Sequence, residues 1–138
     1  MLQPEDIVGT RVASADELAT YMKALEKAAS TYFATLPSNT PRAGYLAVAV
    51  KPVRASNVWI DFDPPLSTAE SDELVRRLRA VTPMEATGGP VVFALKASVD
   101  GAPEPAAPAP RIADWAQAAK DAGKTLTIDE VVLRSWKP

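Results

Sequence analysis

Residues 57–63 have the sequence NVWIDFD, in which side chains of different character alternate along the chain. Successive side chains of a β-strand point to opposite faces of the sheet, so this stretch predicts a strand with two unlike faces. One face carries Val58, Ile60 and Phe62, and the other carries Trp59, Asp61 and Asp63. Pro64 and Pro65 follow at once, and the strand must stop there because proline cannot donate a sheet hydrogen bond.

The pattern Ser-x-x-Glu occurs at residues 14–17 and again at residues 67–70. In this capping box, the Ser and Glu side chains accept hydrogen bonds from free N–H groups at the start of a helix. Hydrophobic residues recur at three- and four-residue steps after each box, as they do on the buried face of an amphipathic helix. We therefore expect two main helices, over residues 14–36 and 68–81.

Two further stretches are rich in β-branched and small hydrophobic residues, which favour strands. Residues 45–53 read YLAVAVKPV, and residues 91–99 read VVFALKASV. The short connection over residues 52–57 predicts that the first of these strands forms a hairpin with the strand over residues 57–63. Residues 1–13 are expected to add a small strand or to pack on the elements that follow.

The composition changes at residues 101–110, GAPEPAAPAP, where four prolines are separated by small residues and a glutamate. We expect an extended, semi-rigid linker or loop there. The tail, defined as residues 111–138, predicts a short helix ending near Gly123 and then a strand over residues 130–136. A segment this short cannot bury a core of its own, so the tail is expected to pack on the core formed by residues 1–100.

The predicted elements follow the order α-β-β-α-β, with a short α-β tail. A chain of 138 residues has the usual size of one domain. We therefore expect a single α+β domain built on a mostly antiparallel sheet of about four strands. The two main helices are expected to lie mainly on one face of this sheet.

The chain contains no histidine and no cysteine. This excludes disulfides, thiol catalysis and iron–sulfur sites, and also histidine-dependent triads and general bases. The net charge of −2 and the pI of about 5.2 disfavour nucleic-acid binding, which usually needs a basic surface. We expect no cofactor and no metal ion. Catalysis by this chain would have to rely on carboxylates, lysine, tyrosine or hydroxyl groups.

Trp59, Asp61 and Asp63 share one strand face and form the candidate binding site. The two carboxylates would need further oxygen ligands to hold a divalent cation, and the chain has no D-x-D-x-D-G loop. The simplest interpretation of the acids is a solvated sheet face that discourages aggregation. If the face is open, all three residues form a binding patch, because interface hot spots favour tryptophan. A helix covering the face would bury Trp59 for structural reasons alone.

Residues 45–100 follow the order strand, strand, helix, strand. Within them, residues 78–83 (LRAVTP) and 88–93 (GGPVVF) resemble part of the C-terminal domain of TonB-type energy transducers. In that family a leucine-rich helix leads through a P-x-x-x-G-x-P-V turn into a long strand. The resemblance implies a periplasmic setting and protein–protein contact by strand pairing. It does not imply energy transduction, and no functional residue is carried over from it.

The leading hypothesis is a non-catalytic protein-binding or accessory protein of a bacterial envelope or secretion context, which acts through a sheet face or edge. A second hypothesis is an immunity-type inhibitor of a toxin, because the chain is small and acidic. A third is a small carboxylate-dependent hydrolase. It would need two carboxylates that converge in a cleft, drawn from Asp61, Asp63, Glu70 and Glu85.

The sequence also bears on location. No hydrophobic stretch reaches the length of a membrane span. The first residues lack the charged and then apolar pattern of a signal peptide. A periplasmic or secreted location is favoured over a cytoplasmic one, with any signal peptide absent from this chain. A protein partner is expected, and the oligomeric state is not indicated.

Overall fold

Three antiparallel strands lie at the centre of the computed structural model, with helices packed on both faces. The structure describes residues 2–36, 41–52, 54–99, 105 and 110–136. The α+β class predicted from the sequence is confirmed. In chain order the elements are α1 (Glu5–Arg11), α2 (Ala15–Phe33), β1 (Arg42–Lys51), β2 (Ala55–Asp63), α3 (Thr68–Arg79), β3 (Val91–Val99), α4 (Ala113–Ala122) and α5 (Ile128–Arg134).

β1 is the central strand and pairs antiparallel with β2 on one side and with β3 on the other. The predicted hairpin of β1 and β2 is confirmed, and the register places Val48 opposite both Val58 and Phe93. Residues 44–50 of β1 are all buried, although their side chains alternate between the two faces. This explains why the stretch YLAVAV carries no charge, since a strand covered on both faces needs apolar residues throughout.

α2 and α3 cover one face of the sheet, as expected for the two main helices. Leu25 and Leu74 are fully buried and belong to the same core cluster as Val48 and Phe93. The ring of Tyr21 meets the ring of Phe93 edge-on, with 6.1 Å between the ring centroids. This cluster is the larger of the two hydrophobic cores.

The tail helices α4 and α5 cover the other face of the sheet. The second hydrophobic cluster is shared between this face and the tail. The sheet contributes Ala47, Ala49, Trp59 and Val92, and the tail contributes Ile112, Trp115, Val131 and Val132. Alanine at two positions of the central strand leaves room for the tryptophan rings beside it. The sheet is therefore buried between two helical layers.

Two predictions about the sheet are wrong. The described part of the chain contains a sheet of three strands instead of about four, and the strand predicted over residues 130–136 is helix α5. Its β-branched residues suggested a strand, but Thr127 and Glu130 form a complete capping box just ahead of them. Ile128 and Val131 also stand three residues apart, as on one helix face.

The N-terminal residues form a helix instead of the small strand that was one expectation for residues 1–13. Strand-like pairing is limited to a single bridge between Val12 and Ala86. The linker predicted at residues 101–110 lies outside the described residues except for Pro105 and Pro110.

The two predicted capping boxes differ in the structure. Ser67 forms the complete box with Glu70 at the start of α3, and this contact lowers the pKa of the Glu70 carboxyl. At the start of α2, Ser14 Oγ accepts from the N–H of Glu17 at 3.0 Å. The Glu17 carboxylate instead accepts from the N–H of Glu85 at 3.0 Å. It therefore links α2 to the loop that precedes β3.

A polar network joins the N-terminal segment to the tail beside the start of β3. Gln3 Nε2 donates to the Pro90 carbonyl at 2.9 Å and to Asp129 Oδ1 at 2.5 Å. Arg11 Nη1 donates to the same carbonyl at 2.8 Å and to Asp129 Oδ2 at 2.7 Å. Both carboxylate oxygens of Asp129 are thus engaged, and α5 is held to residues that precede it by more than a hundred positions.

Of the described glycines, Gly44 has the least room for a side chain, because it lies in β1 where β2 comes close. A Cβ atom at this position would lie 2.0 Å from the carbonyl oxygen of Asp61 and 2.7 Å from the Cα of Phe62. Both are backbone atoms, so neither can rotate away, and the two strands would have to separate. Gly9, in α1, has no atom within 4 Å of such a Cβ.

We predict that Gly44→Ala lowers the free energy of unfolding by about 1–3 kcal/mol, the usual cost of forcing an atom into a packed region. Gly9→Ala is the matched control, and it should raise the same quantity by about 0.5–1 kcal/mol because alanine favours a helix interior. Urea denaturation followed by circular dichroism measures both. An unchanged stability for Gly44→Ala would show that β1 and β2 are not this close.

Candidate functional site

The predicted patch does not form one open surface. Trp59 is only 7% exposed and lies under the tail. Its ring centroid is 5.4 Å from that of Trp115 and 6.2 Å from that of Trp136, in edge-to-face arrangements. Lys51 Nζ lies 4.3 Å from the centroid of the Trp136 ring. Trp59 therefore anchors the tail. This is the structural role that the sequence allowed for Trp59 if a helix covers the sheet face.

The two aspartates of the patch have separate surroundings. Asp61 is half-buried, and its Oδ2 accepts from the backbone N–H of Arg111 at 2.8 Å, where the chain enters α4. Asp63 is exposed at the end of β2. Asp61 thus helps Trp59 to position the tail, and only Asp63 retains the solvated character expected of both acids.

The hydrogen bonds of β3 determine which peptide groups of the sheet point outward. The N–H of Val92 donates to Gln3 Oε1 at 2.9 Å, and its carbonyl accepts from the N–H of Leu2 at 3.2 Å. Both groups of Val92 therefore point away from β1, where Ala49 is its partner. Two opposed residues of an antiparallel pair direct their peptide groups either both toward each other or both away. The peptide groups of Ala49 therefore point away from β3 and toward Asn57 of β2.

The direction of the peptide groups alternates from residue to residue along a strand. Those of Asn57 point toward β1, so the N–H and carbonyl groups of Val58 and Ile60 point to the outer edge of β2. An independent contact agrees, since the N–H of Val58 donates to the side-chain Oδ1 of Asn57 at 2.9 Å. Within the described part of the chain, no hydrogen bond from outside the sheet reaches the peptide groups of Ile60. The outer edge of β2 thus presents main-chain donors and acceptors suited to another strand.

A groove of about 390 Å³ runs along this edge, and we call it the edge groove. Residues 57–60 of β2 line it between two helical walls. The α3 wall presents Asp72, Val75 and Arg79, and the wall at the start of α4 presents Ile112, Ala113 and Asp114. An extended chain in this groove would meet main-chain groups on one side and side chains on two others.

The α3 wall carries charges without ion-pair partners in the described residues. Glu73, on a different side of α3, pairs with Arg76 at 2.5 Å and with Arg77 at 2.9 Å. These contacts lower the pKa of the Glu73 carboxyl to about 2. No ion pair within the described ranges involves Asp72 or Arg79, and both side chains are exposed.

The carboxylates that a hydrolase would use either have local hydrogen-bond partners or are exposed to solvent. Glu70 caps α3, Asp61 binds the N–H of Arg111, and Glu85 is exposed. The pKa values of Glu70 and Glu130 are both lowered, chiefly by hydrogen bonds within their capping boxes. A general acid requires the opposite shift. In the part of the chain that the structure describes, no three His, Cys, Asp or Glu side chains could together hold a metal ion.

A second groove, of about 630 Å³, lies on the tail. Its described lining is hydrophobic apart from Arg111, and includes Trp115, Leu126 and Ile128. A specific site needs several placed polar groups to orient its ligand. This groove has few of them, so it defines a specific site less well than the edge groove does.

Comparison of the chain with models of known protein families, with curated proteins and with solved structures finds no match. The resemblance of residues 45–100 to the TonB C-terminal domain thus stays an expectation drawn from sequence alone. Among the described helices, none is both long and apolar enough to cross a membrane.

Sequence reasoning missed the edge groove. Its most important groups are main-chain atoms of Val58 and Ile60, whose direction depends on the register of three strands. One signal was present: Asp72, Val75 and Arg79 stand at i, i+3 and i+7, which places them on one stripe of a helix.

We predict that Trp115→Ala lowers the free energy of unfolding by about 3–5 kcal/mol, the usual cost of truncating a buried aromatic residue. Leu133→Ala is the control in the same tail, because Leu133 is 47% exposed, and it should cost less than about 0.5 kcal/mol. Urea denaturation followed by tryptophan fluorescence and circular dichroism measures both variants. Equal, small effects would contradict the packing of the tail on Trp59.

Proposed function

We propose that this protein is a non-catalytic protein-binding module that adds an extended segment of its partner to the outer edge of β2. The observation that carries the proposal is the outward direction of the peptide groups of Val58 and Ile60 within the edge groove. Strand addition is a common way to bind a peptide, in which main-chain hydrogen bonds supply affinity and flanking side chains supply specificity.

The edge is favoured over the faces because both faces of the sheet are covered by helices. It is also favoured over the edge of β3, where Leu2 and Gln3 already occupy the peptide groups of Val92. The choice between a sheet face and a sheet edge, which the sequence left open, therefore falls on the edge of β2.

The energetics of such binding are modest for each contact and depend on several together. A strand paired with Val58 and Ile60 can form up to four main-chain hydrogen bonds, each worth about 0.5–1.5 kcal/mol net. The N–H of Val58 must first exchange its bond to Asn57 Oδ1 for one to the partner. Because Asn57 is itself buried, this exchange adds a cost that the new main-chain hydrogen bonds must offset.

An envelope or secretion setting rests on the TonB resemblance alone. No contact of the described residues favours an immunity-type inhibitor or a hydrolase over the binding module. Among the described residues, no pair of the carboxylates that a hydrolase would use converges in a cleft, so no specific observation supports the hydrolase hypothesis.

We predict that the protein enriches peptides from a displayed library of random sequences, and that Val58→Pro weakens their binding. Proline is tolerated on an edge strand where its missing N–H faces outward. Because Val58 also packs in the larger core, the variant should be less stable than the native protein but still folded. Loss of one main-chain donor should raise the Kd by about three- to tenfold. Fluorescence anisotropy of labelled, enriched peptides gives the Kd, and circular dichroism checks the fold.

A second variant tests the same groove without changing β2. Ala113→Arg places a long side chain on the α4 wall and should also weaken binding, whereas Gln117→Arg lies outside the edge groove and should not. If enriched peptides bind Val58→Pro and Ala113→Arg as tightly as they bind the native protein and the control, they bind elsewhere and the proposal is wrong. A library from which nothing is enriched would count against the proposal equally.

A further inference from the structure

The α3 wall of the edge groove has a charge pattern along its length. Asp72, Val75 and Arg79 form one stripe, with an acid near one end, a base near the other and an apolar residue between. Seven residues separate the two charges, which corresponds to about 10.5 Å along a helix. An extended peptide covers this length in roughly three to four residues.

The direction of the stripe relative to β2 follows from the chain path. α3 follows β2 after a short turn and packs against it. Arg54, just before β2, donates to the carbonyl of Pro83, just after α3, at 3.3 Å. The end of α3 is therefore near the start of β2. Arg79 lies toward the Asn57 end of the groove and Asp72 toward the Ile60 end.

The shape of the groove determines what kind of strand can enter. The edge of β2 lies between helical walls on both sides, so a single extended segment can reach it. A second copy of this chain would bring its own α3 and α4 to the contact along with its β2. An isolated extended peptide carries no such helices, so it is the occupant that we assign to the groove.

We propose that the edge groove selects an extended peptide with a basic residue facing Asp72 and an acidic residue facing Arg79. The residue between them is small or apolar and packs on Val75. This inference rests on the proposed function and adds the chemistry of the partner to it. Side chains on the other face of the peptide meet the α4 wall, where Ile112 and Ala113 suit apolar residues and Asp114 adds a carboxylate.

Three synthetic peptides test the charge pattern. Each has alternating Thr and Val, blocked ends, and two charged residues four positions apart, which places both on one face of a strand. One carries Lys and Glu, the second two Lys, and the third two Glu. At low ionic strength, where exposed charges are least screened, the mixed peptide should bind the native protein about two- to fivefold more tightly than either of the others.

Charge reversal should change this order in a defined way. In Arg79→Asp both ends of the stripe are acidic, and the peptide with two Lys should bind most tightly. In Asp72→Arg both ends are basic, and the peptide with two Glu should bind most tightly. Arg76→Asp makes the same change outside the edge groove, and it should leave the mixed peptide preferred. Circular dichroism confirms that each variant is folded.

The outcomes separate this inference from the proposed function. Equal binding of the three peptides, or an order unaffected by the reversals, overturns the charge pattern while the binding module stands. If none of the three synthetic peptides binds but library-enriched peptides do, the charge pattern is likewise overturned and the binding module stands. If neither synthetic nor library peptides bind, the proposed function itself fails. A dimer in sedimentation equilibrium that Val58→Pro dissociates would assign the groove to a second copy and overturn the inference.

Discussion

Burial of β1 on both faces is the constraint on which the rest of the structure depends. A strand of consecutive apolar residues in the centre of a sheet exposes hydrophobic surface on two sides, and each side needs its own cover. α2 and α3 cover one side, and the tail must cover the other. The tail is therefore part of the core, although it comes last in the chain.

The attachment of the tail uses the residues that had the strongest appearance of a functional site. Trp59 packs against two tryptophans of the tail, and Asp61 binds the peptide N–H at its entrance. A separate set of contacts holds α5, where the Asp129 carboxylate accepts hydrogen bonds from Gln3 and Arg11. Both faces are thus covered and the start of the β3 edge is occupied, and these contacts support our choice of the edge of β2 as the proposed binding surface.

Local signals in the sequence predicted the local elements well. The alternation over residues 57–63, the stop at Pro64 and the capping box at Ser67 each depend on neighbouring residues only, and each appears as expected. The end of the short tail helix at Gly123 does too, with the αL geometry that glycine adopts readily.

The wrong predictions arose where a local pattern was compatible with two structures, or where the structure depends on elements that are distant in the sequence. The β-branched run in α5 suggested a strand, although the Thr-x-x-Glu box before it favoured a helix. The polar face of β2 suggested an open patch, because no local pattern shows that a tail some fifty residues later will cover Trp59. Which strand has a free edge likewise depends on the pairing of all three strands.

Amide hydrogen exchange measured by NMR tests the central claim most directly, because it reports which peptide groups of β2 are paired. We expect the amide of Ile60, which points into the edge groove, to exchange on the order of a hundredfold faster than the amides of Trp59 and Asp61, which face β1. Equal, strong protection of Ile60 and Trp59 would show that the edge of β2 is already occupied, and no strand could then be added there.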